Sequence, residues 1–364
     1  MSAKKYKFID CHVHLFNLYN KDGENFFDFY DEIQRSCGAE AINFLSFHAG
    51  YDPGKLYDVR QNILAALYKL HNPTAYAYGG LAYPQMPIKG EVEGMELSTQ
   101  YDELMEIGFD GIKLLETRTT TIPMLGKHIN DEYFEGFFEK AEKNGTHIIC
   151  HVASPHQYFD PAYENVLPER SHYWKGGYPS LEEIYGATYA LLDKHPKLNI
   201  TFAHFFFLAH KTEELERLFS RYENVGIDIT PGTEMFSEFN KDVNFYKAFL
   251  EKYADRIMYG TDLSFPSSRK DYMFTLAEAV YDVVTTDGDG FDIWGVPAKG
   301  LKLSDDACKK ILYENFKAQH PCGPEKINVE ALKRYTDKYS DLLVNDDQKD
   351  AIIKLVNEAY DRVK

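Results

Sequence analysis

The feature that most restricts the fold of this sequence is an alternation: short β-type runs recur along the chain, and each is followed by a longer stretch with helical periodicity. Parallel strands joined by crossover helices have that signature, because a tight turn cannot join two parallel strands. The runs fall near Lys7 to Val13, Ile42 to Phe47, Ala75 to Leu81, Gly111 to Leu115, His147 to Val152, Asn199 to Ala203, Val225 to Ile229 and Arg256 to Gly260. These eight runs are what a closed α/β barrel of the (β/α)8, or TIM, type requires.

Helical periodicity occupies Val59 to Leu70, Glu91 to Ile107, Asp131 to Asn144, Ser180 to His195, Thr212 to Tyr222 and Asn240 to Tyr253. Gly145 stands where a C-terminal cap belongs, and Ser180 with Glu183 has capping-box spacing. Three connections are long: Phe16 to Ala41, Ala153 to Pro179 and Leu263 to Leu303. Each follows a strand, so in a barrel each helps to build the rim of the mouth where active sites lie. Asp306 to Gln319 reads as the closing barrel helix. Residues 1–323 are expected to form one barrel domain and 324–364 a C-terminal extension packed on it, with amphipathic helices over Asn328 to Lys338 and Asp346 to Lys364.

A formal net charge of −17 repels phosphate backbones and anionic lipid, which argues against nucleic acid and membrane as partners. No apolar run approaches the ~18 residues of a membrane-spanning helix. Met1 to Lys7 leads directly into Asp10 and His12 with no signal-peptide core, and the five cysteines lack CxxC spacing, so a cytoplasmic setting is expected. A small-molecule substrate is the expected partner, with a homodimer the candidate assembly.

The candidate chemistry begins at His12-Val13-His14. On a strand the period of two directs both imidazoles to one face, which is a start on a divalent-metal site. Alone the motif is weak, since a histidine is as readily satisfied by a backbone carbonyl. Three further residues hold the same address, each just past an apolar run: His151, His204 and Asp262. In a barrel these side chains converge at the C-terminal ends of strands 1, 5, 6 and 8.

Together with Ile9 to His14, the segments Gly108 to Glu116, Ile149 to Ala153, His195 to His204, Met258 to Asp262 and Ile311 to Phe316 resemble the amidohydrolase superfamily. The likeness is greatest to its amidohydrolase-related branch of metal-dependent hydrolases and aminocarboxymuconate-semialdehyde-decarboxylase-like enzymes, over roughly residues 7 to 320. The resemblance implies that His12, His14, His151 and Asp262 bind one divalent ion, zinc or else manganese, with His204 beside the activated water and Asp262 as general base. In the wider superfamily a strand-4 lysine or glutamate bridges a second metal, a role open to Lys113 or Glu116. Because the branch usually holds one metal, Lys113 is read instead as the partner of an internal carboxylate or a substrate anion.

Substrate-binding candidates lie on the rim: Arg118 as a bidentate carboxylate clamp, His48 at the end of strand 2, and Tyr173 and Trp174 in the aromatic loop after strand 5. Core packing accounts equally well for that loop. Phe205, Phe206 and Phe207 are expected in the core, with one ring at most reaching the site. The leading functional expectation is hydrolysis of an amide, lactone or ester bond by metal-activated water. Non-oxidative decarboxylation of an aromatic or dienoic acid is the alternative, and a catalytically silent ligand-binding barrel the third reading.

Overall fold

The computed structural model describes residues 4–47, 58–84, 92–232, 234–266, 270–343 and 347–364. Among these residues nine parallel strands are present: β1 (Ile9–Leu15), β2 (Ala41–Leu45), β3 (Tyr76–Gly79), β4 (Gly111–Arg118), β5 (Ile148–Ala153), β6 (Ile200–Phe202), β7 (Val225–Asp228), β8 (Ile257–Met258) and β9 (Leu263–Phe265). Each strand from β1 to β8 lies beside the next one in sequence, and β9 lies on the far side of β1. This is the α/β TIM-barrel fold.

Of the strand expected over Arg256 to Gly260 only β8 lies in the ladder, and β9 falls in the connection expected from Leu263 onward. β8 pairs with β7 through Ile227↔Ile257 and Asp228↔Met258, whereas β9 pairs with β1 through Val13↔Leu263, His14↔Ser264 and Leu15↔Phe265. Between them, residues 259–262 leave the ladder, and the backbone N–H of Cys11 reaches the Tyr259 carbonyl at 3.1 Å to close the barrel. The closing helix makes room for this departure. Its central turn, Lys310–Glu314, is a π-turn between Asp305–Lys309 and Asn315–Gln319, and the Ile311 carbonyl accepts the Tyr259 N–H at 3.0 Å. Asn315 Nδ2 adds bonds to the carbonyls of Ala254 and Ile257, both 2.6 Å.

The long connection after β1 holds a helix, Phe26–Cys37, that the sequence analysis does not assign. Its buried residues Phe26, Phe29, Tyr30, Ile33 and Cys37 have helical spacing, Asn25 caps its start and Gly38, at φ +74°, ends it. The aromatic-rich composition obscured this periodicity. The long stretch after β9 likewise contains the helix Lys270–Thr285 and a hairpin of Asp289–Ile293 with Val296–Lys299. The Ser180–Glu183 capping box is present.

The floor of the barrel is polar. Tyr78 Oη lies 2.6 Å from His147 Nδ1 and 2.7 Å from His320 Nε2, while His147 Nε2 meets Thr201 Oγ1 at 2.8 Å. Burial holds His147 well below the ordinary imidazole pKa and brings His320 down to about 3. The C-terminal segment is joined to the barrel helices. Asn328 N–H bonds the Ile107 carbonyl at 2.8 Å, and the Tyr335 hydroxyl accepts from Asn62 Nδ2 at 2.9 Å. Gly108, at φ +102°, has the Lys326 carbonyl 2.3 Å from where a Cβ would stand.

Gly108→Ala combines a left-handed backbone with a backbone clash and should lower unfolding free energy by about 2–4 kcal/mol. Gly145→Ala has φ +65° with nothing within 4 Å, and should cost only about 1 kcal/mol. Urea midpoints measured side by side check both values, and equal costs would remove the proposed clash. For the floor, a depressed histidine pKa leaves stability intact above about pH 6.5 and erodes it as the pH falls toward the folded value, because only the unfolded chain takes up the proton. Stability curves of wild type and His320→Gln should therefore diverge by about 3 kcal/mol between pH 7 and pH 4.5, with the wild type falling further.

Candidate metal centre

β1 is buried along its whole length, and its alternation places His12 and His14 together at the mouth. A histidine suited to hold a metal needs its other ring nitrogen fixed. His12 Nδ1 donates to Asp228 Oδ2 at 2.8 Å, and His14 Nδ1 donates to the Leu45 carbonyl at 2.8 Å. Both Nε2 atoms consequently face Asp262, whose Oδ1 lies 3.1 Å from His14 and 3.8 Å from His12. Donor atoms of His12, His14 and Asp262 fall within 4.8 Å of one another, the one such group of three among the described residues. Burial, reinforced by the Lys113 charge, keeps His12 neutral, and two imidazoles with one carboxylate suit zinc or manganese.

The departure of the chain between β8 and β9 presents Asp262. Gly260 passes beneath His12 so closely that a Cβ would lie 2.4 Å from Thr230 Oγ1 and 2.7 Å from His12 Cβ. Thr261 is gripped by Asp10, which accepts its N–H at 3.1 Å and its hydroxyl at 2.5 Å, and the Asp262 N–H bonds the His12 carbonyl at 2.9 Å. With φ at +59°, Asp262 turns its carboxylate toward the histidines. Burial raises its pKa, but the hydrogen bond with His14 and the positive charge around it, that of Lys113 included, outweigh that and leave it below the ordinary aspartate value.

His151 and His204 line the same cavity, their rings 4.8 Å apart and His204 5.3 Å from His12. His151 lies outside the three-donor group, its Nε2 directed at the Ala153 carbonyl at 3.2 Å. His204 is anchored by its backbone N–H on Asp228 Oδ1 at 2.8 Å and by Nδ1 on the Thr230 carbonyl at 3.4 Å. Burial lowers its pKa to about 4. Lys113 is buried with Nζ 3.3 Å from His12 Nε2, and among the described residues no carboxylate stands within ion-pair distance of it. Burial depresses its pKa. Glu116 faces elsewhere: Tyr83 and the Leu115 N–H donate to its two oxygens at 2.8 and 2.6 Å, and burial raises its pKa to about 7.

The cavity above these donors measures about 250 Å³, and its walls include Phe16, Phe47, Arg118 and Trp294. Trp294, at the tip of the 289–299 hairpin, escaped the sequence reading, as did Asp228 and Asp10; only the aspartate two residues before the HxH pair offered a local signal. Tyr173 lines a second, outer cavity together with Arg118, whereas Trp174 stacks on His172 at 4.4 Å and lines neither. Phe207 backs the site, its ring 5.2 Å from His204 and 5.3 Å from His151. His48 falls outside the described residues.

A family model described as Amidohydrolase matches residues 9–315. No curated protein matches the sequence. Among solved structures, a 2,6-dihydroxybenzoate decarboxylase from Rhizobium aligns over 86% of this chain and 98% of its own at 15% identity and a TM-score of 0.52. A dihydroxybenzoic acid decarboxylase from Polaromonas sp. JS666, with bound manganese and the inhibitor 2-nitroresorcinol, aligns over 86% and 96% at 16% identity and 0.51. A probable 2-pyrone-4,6-dicarboxylic acid hydrolase from Acinetobacter baumannii, with citric acid bound, aligns over 86% and 98% at 14% identity and 0.50. Similarities at this level establish the shared fold.

Asp228→Asn tests the support of the centre. The amide oxygen can still accept from His204 and Thr230, but an N–H would then face His12 Nδ1. Zinc and manganese affinity should drop about ten- to a hundredfold, read by competition with a chelating dye, with the thermal transition still cooperative. Unchanged affinity would dismiss Asp228 as the group that orients His12.

Proposed function

Because the chain belongs to the amidohydrolase family, we propose that it is a hydrolase in which His12, His14 and Asp262 bind one divalent ion, zinc or manganese. Its substrate is a small molecule with an amide, lactone or ester bond and a carboxylate. The observation that carries this reading is the three-donor group on the floor of a cavity that also contains Lys113 and Arg118. His151 completes the ligand set by turning its ring away from the Ala153 carbonyl.

When bound, such an ion polarises a carbonyl and lowers the pKa of water toward neutrality. The chain's own groups divide the remaining work. Asp262, whose pKa lies below the ordinary aspartate value, is the proton acceptor and then returns the proton to the leaving group. His204 donates through Nδ1 to Thr230, so Nε2 presents a lone pair that would orient the attacking water. Lys113, an N–H donor in a dry site, opposes the negative charge that develops on the carbonyl oxygen. Arg118 clamps the substrate carboxylate at the cavity wall.

Arg118 and the aromatic walls also favour a second reading, decarboxylation of a planar aromatic or dienoic acid. A panel of lactones, amides and hydroxybenzoates, assayed in parallel for hydrolysis and for carbon dioxide release, separates the two. With the best substrate from that panel, chelation should abolish turnover and zinc or manganese should restore it. Asp262→Asn should cut turnover by about 10²–10⁴-fold while part of the metal is retained. Full activity in that variant would overturn the proton-transfer role.

A further inference from the structure

One wall of the metal cavity, Trp294, stands where a tryptophan is costly. The hairpin of Asp289–Ile293 with Val296–Lys299 pairs Ile293 with Val296, so Trp294 and Gly295 by themselves make its turn. Both have positive φ, +53° and +82°. That is the pattern of a type I′ turn, whose first position suits Asn, Asp or Gly because a bulky side chain is strained in the left-handed region. Gly295 meets the requirement and Trp294 does not. Strain of this kind persists only where its surroundings impose it, and it concentrates where a side chain serves a ligand.

The surroundings fix the hairpin to two helices. On the helix Lys270–Thr285, the Tyr272 hydroxyl accepts the Trp294 N–H, and the two rings lie 5.6 Å apart. Asp292 Oδ1 accepts the Gly295 N–H at 2.7 Å. On the helix Met235–Lys241, Asn240 donates to the Pro297 carbonyl and accepts the Lys299 N–H, both at 3.0 Å. Ile293 and Ala298 are buried beneath the hairpin. The indole therefore reaches the cavity from a fixed support, in a turn whose own preference is for a small polar residue.

We propose that Trp294 is a specificity-determining residue of the metal cavity, and that its indole selects substrates whose reacting group sits on a flat, conjugated ring. The cavity of about 250 Å³ has room for one such ring, since a space of about 150 Å³ is enough for benzene. Phe16 and Phe47 line the same space, so a flat ring meets aromatic surface from more than one wall and gains face and edge contacts there. A saturated ring of the same size has no flat face to offer the indole. The inference rests on the reading of this cavity as the substrate site. It adds the class of ring: an aryl derivative or an unsaturated lactone rather than a saturated one.

The chain has two tryptophans, and Trp174 lines neither cavity, so Trp174→Phe leaves the Trp294 emission as the reporter. Two matched pairs are titrated into that full-length variant, with and without zinc: benzoate against cyclohexanecarboxylate, and benzamide against cyclohexanecarboxamide. Each pair holds charge constant and changes only the ring. Burial of apolar area alone favours the larger, saturated member. The flat member should instead bind about three- to tenfold more tightly in both pairs and should change the Trp294 emission. In calorimetric titrations of the variants, Trp294→Asn should bring both ratios to one or below, and Trp294→Phe should keep most of the preference. Tyr272→Phe, which releases the turn but leaves the indole, should fall between. Because asparagine suits the turn, Trp294→Asn should not lower the thermal midpoint, whereas loss of a merely structural aromatic would. If the midpoint does fall, Trp294→Leu decides, since it keeps apolar bulk without a flat face: a preference lost there supports the role, and a preference retained overturns it. Failure of the flat members to bind, equal affinities within both pairs, or a preference that survives Trp294→Asn refutes the proposal. Loss of metal binding or turnover would strike the hydrolase reading instead, and the ratios measured without zinc would still decide the ring.

Discussion

Asp228 is the group on which the mouth of this barrel depends. One oxygen holds the His12 ring on β1, and the other accepts the backbone N–H of His204 and of Thr230 at 2.8 and 3.0 Å. A single fully buried carboxylate thus joins the ends of three strands. Burial pushes its pKa up to about 6, and the nearby Lys113 charge and these N–H donors act in the opposite direction. A carboxylate so deep is retained only where its hydrogen bonds are satisfied, so the same bonds that keep Asp228 ionised set the direction in which His12 presents Nε2.

Backbone strain gathers around that anchor. Ala153, His204 to Phe207, Asp262 and Trp294 all have φ between +51° and +63° without being glycine. Each such residue costs about 1–3 kcal/mol, and it persists only where its surroundings over-determine it. The surroundings here are specific. Phe206 stacks on Phe202 with ring centroids 4.3 Å apart and its carbonyl accepts from Tyr185 at 2.9 Å, while Phe205 packs on Phe239 and Phe249. The aromatic triplet expected to serve the core thereby holds His204 in a left-handed turn at the edge of the metal cavity. Asp10 and Gly260 do the same for Asp262.

Charge is arranged by place rather than by total. The chain is strongly acidic, but the cationic side chains of Lys113 and Arg118 face the metal cavity. The aromatic walls Phe16, Phe47 and Trp294 come from the β1 mouth, the β2 mouth and the distant hairpin, so the shape of the cavity is set by loops while its donors are set by strands.

Much of this was legible in the sequence because it depends on short-range periodicity. Alternation along a strand is a local property, so His12 and His14 were bound to share a face, and apolar runs of strand length marked the barrel and the addresses of His151, His204 and Asp262. The helix Phe26–Cys37 was legible too, in the spacing of its buried residues, but its aromatic composition hid it. What only the tertiary structure decided is long-range. Neither the departure between β8 and β9 nor the π-turn that accommodates it has a local signature, since each exists to satisfy the other's backbone groups. Asp228 became an anchor only when β7 was laid near β1, and Trp294 became a wall only when a hairpin some 280 residues from His12 folded over the mouth. Periodicity tells which face a side chain takes; which partner waits there is settled by packing elements far apart in the chain.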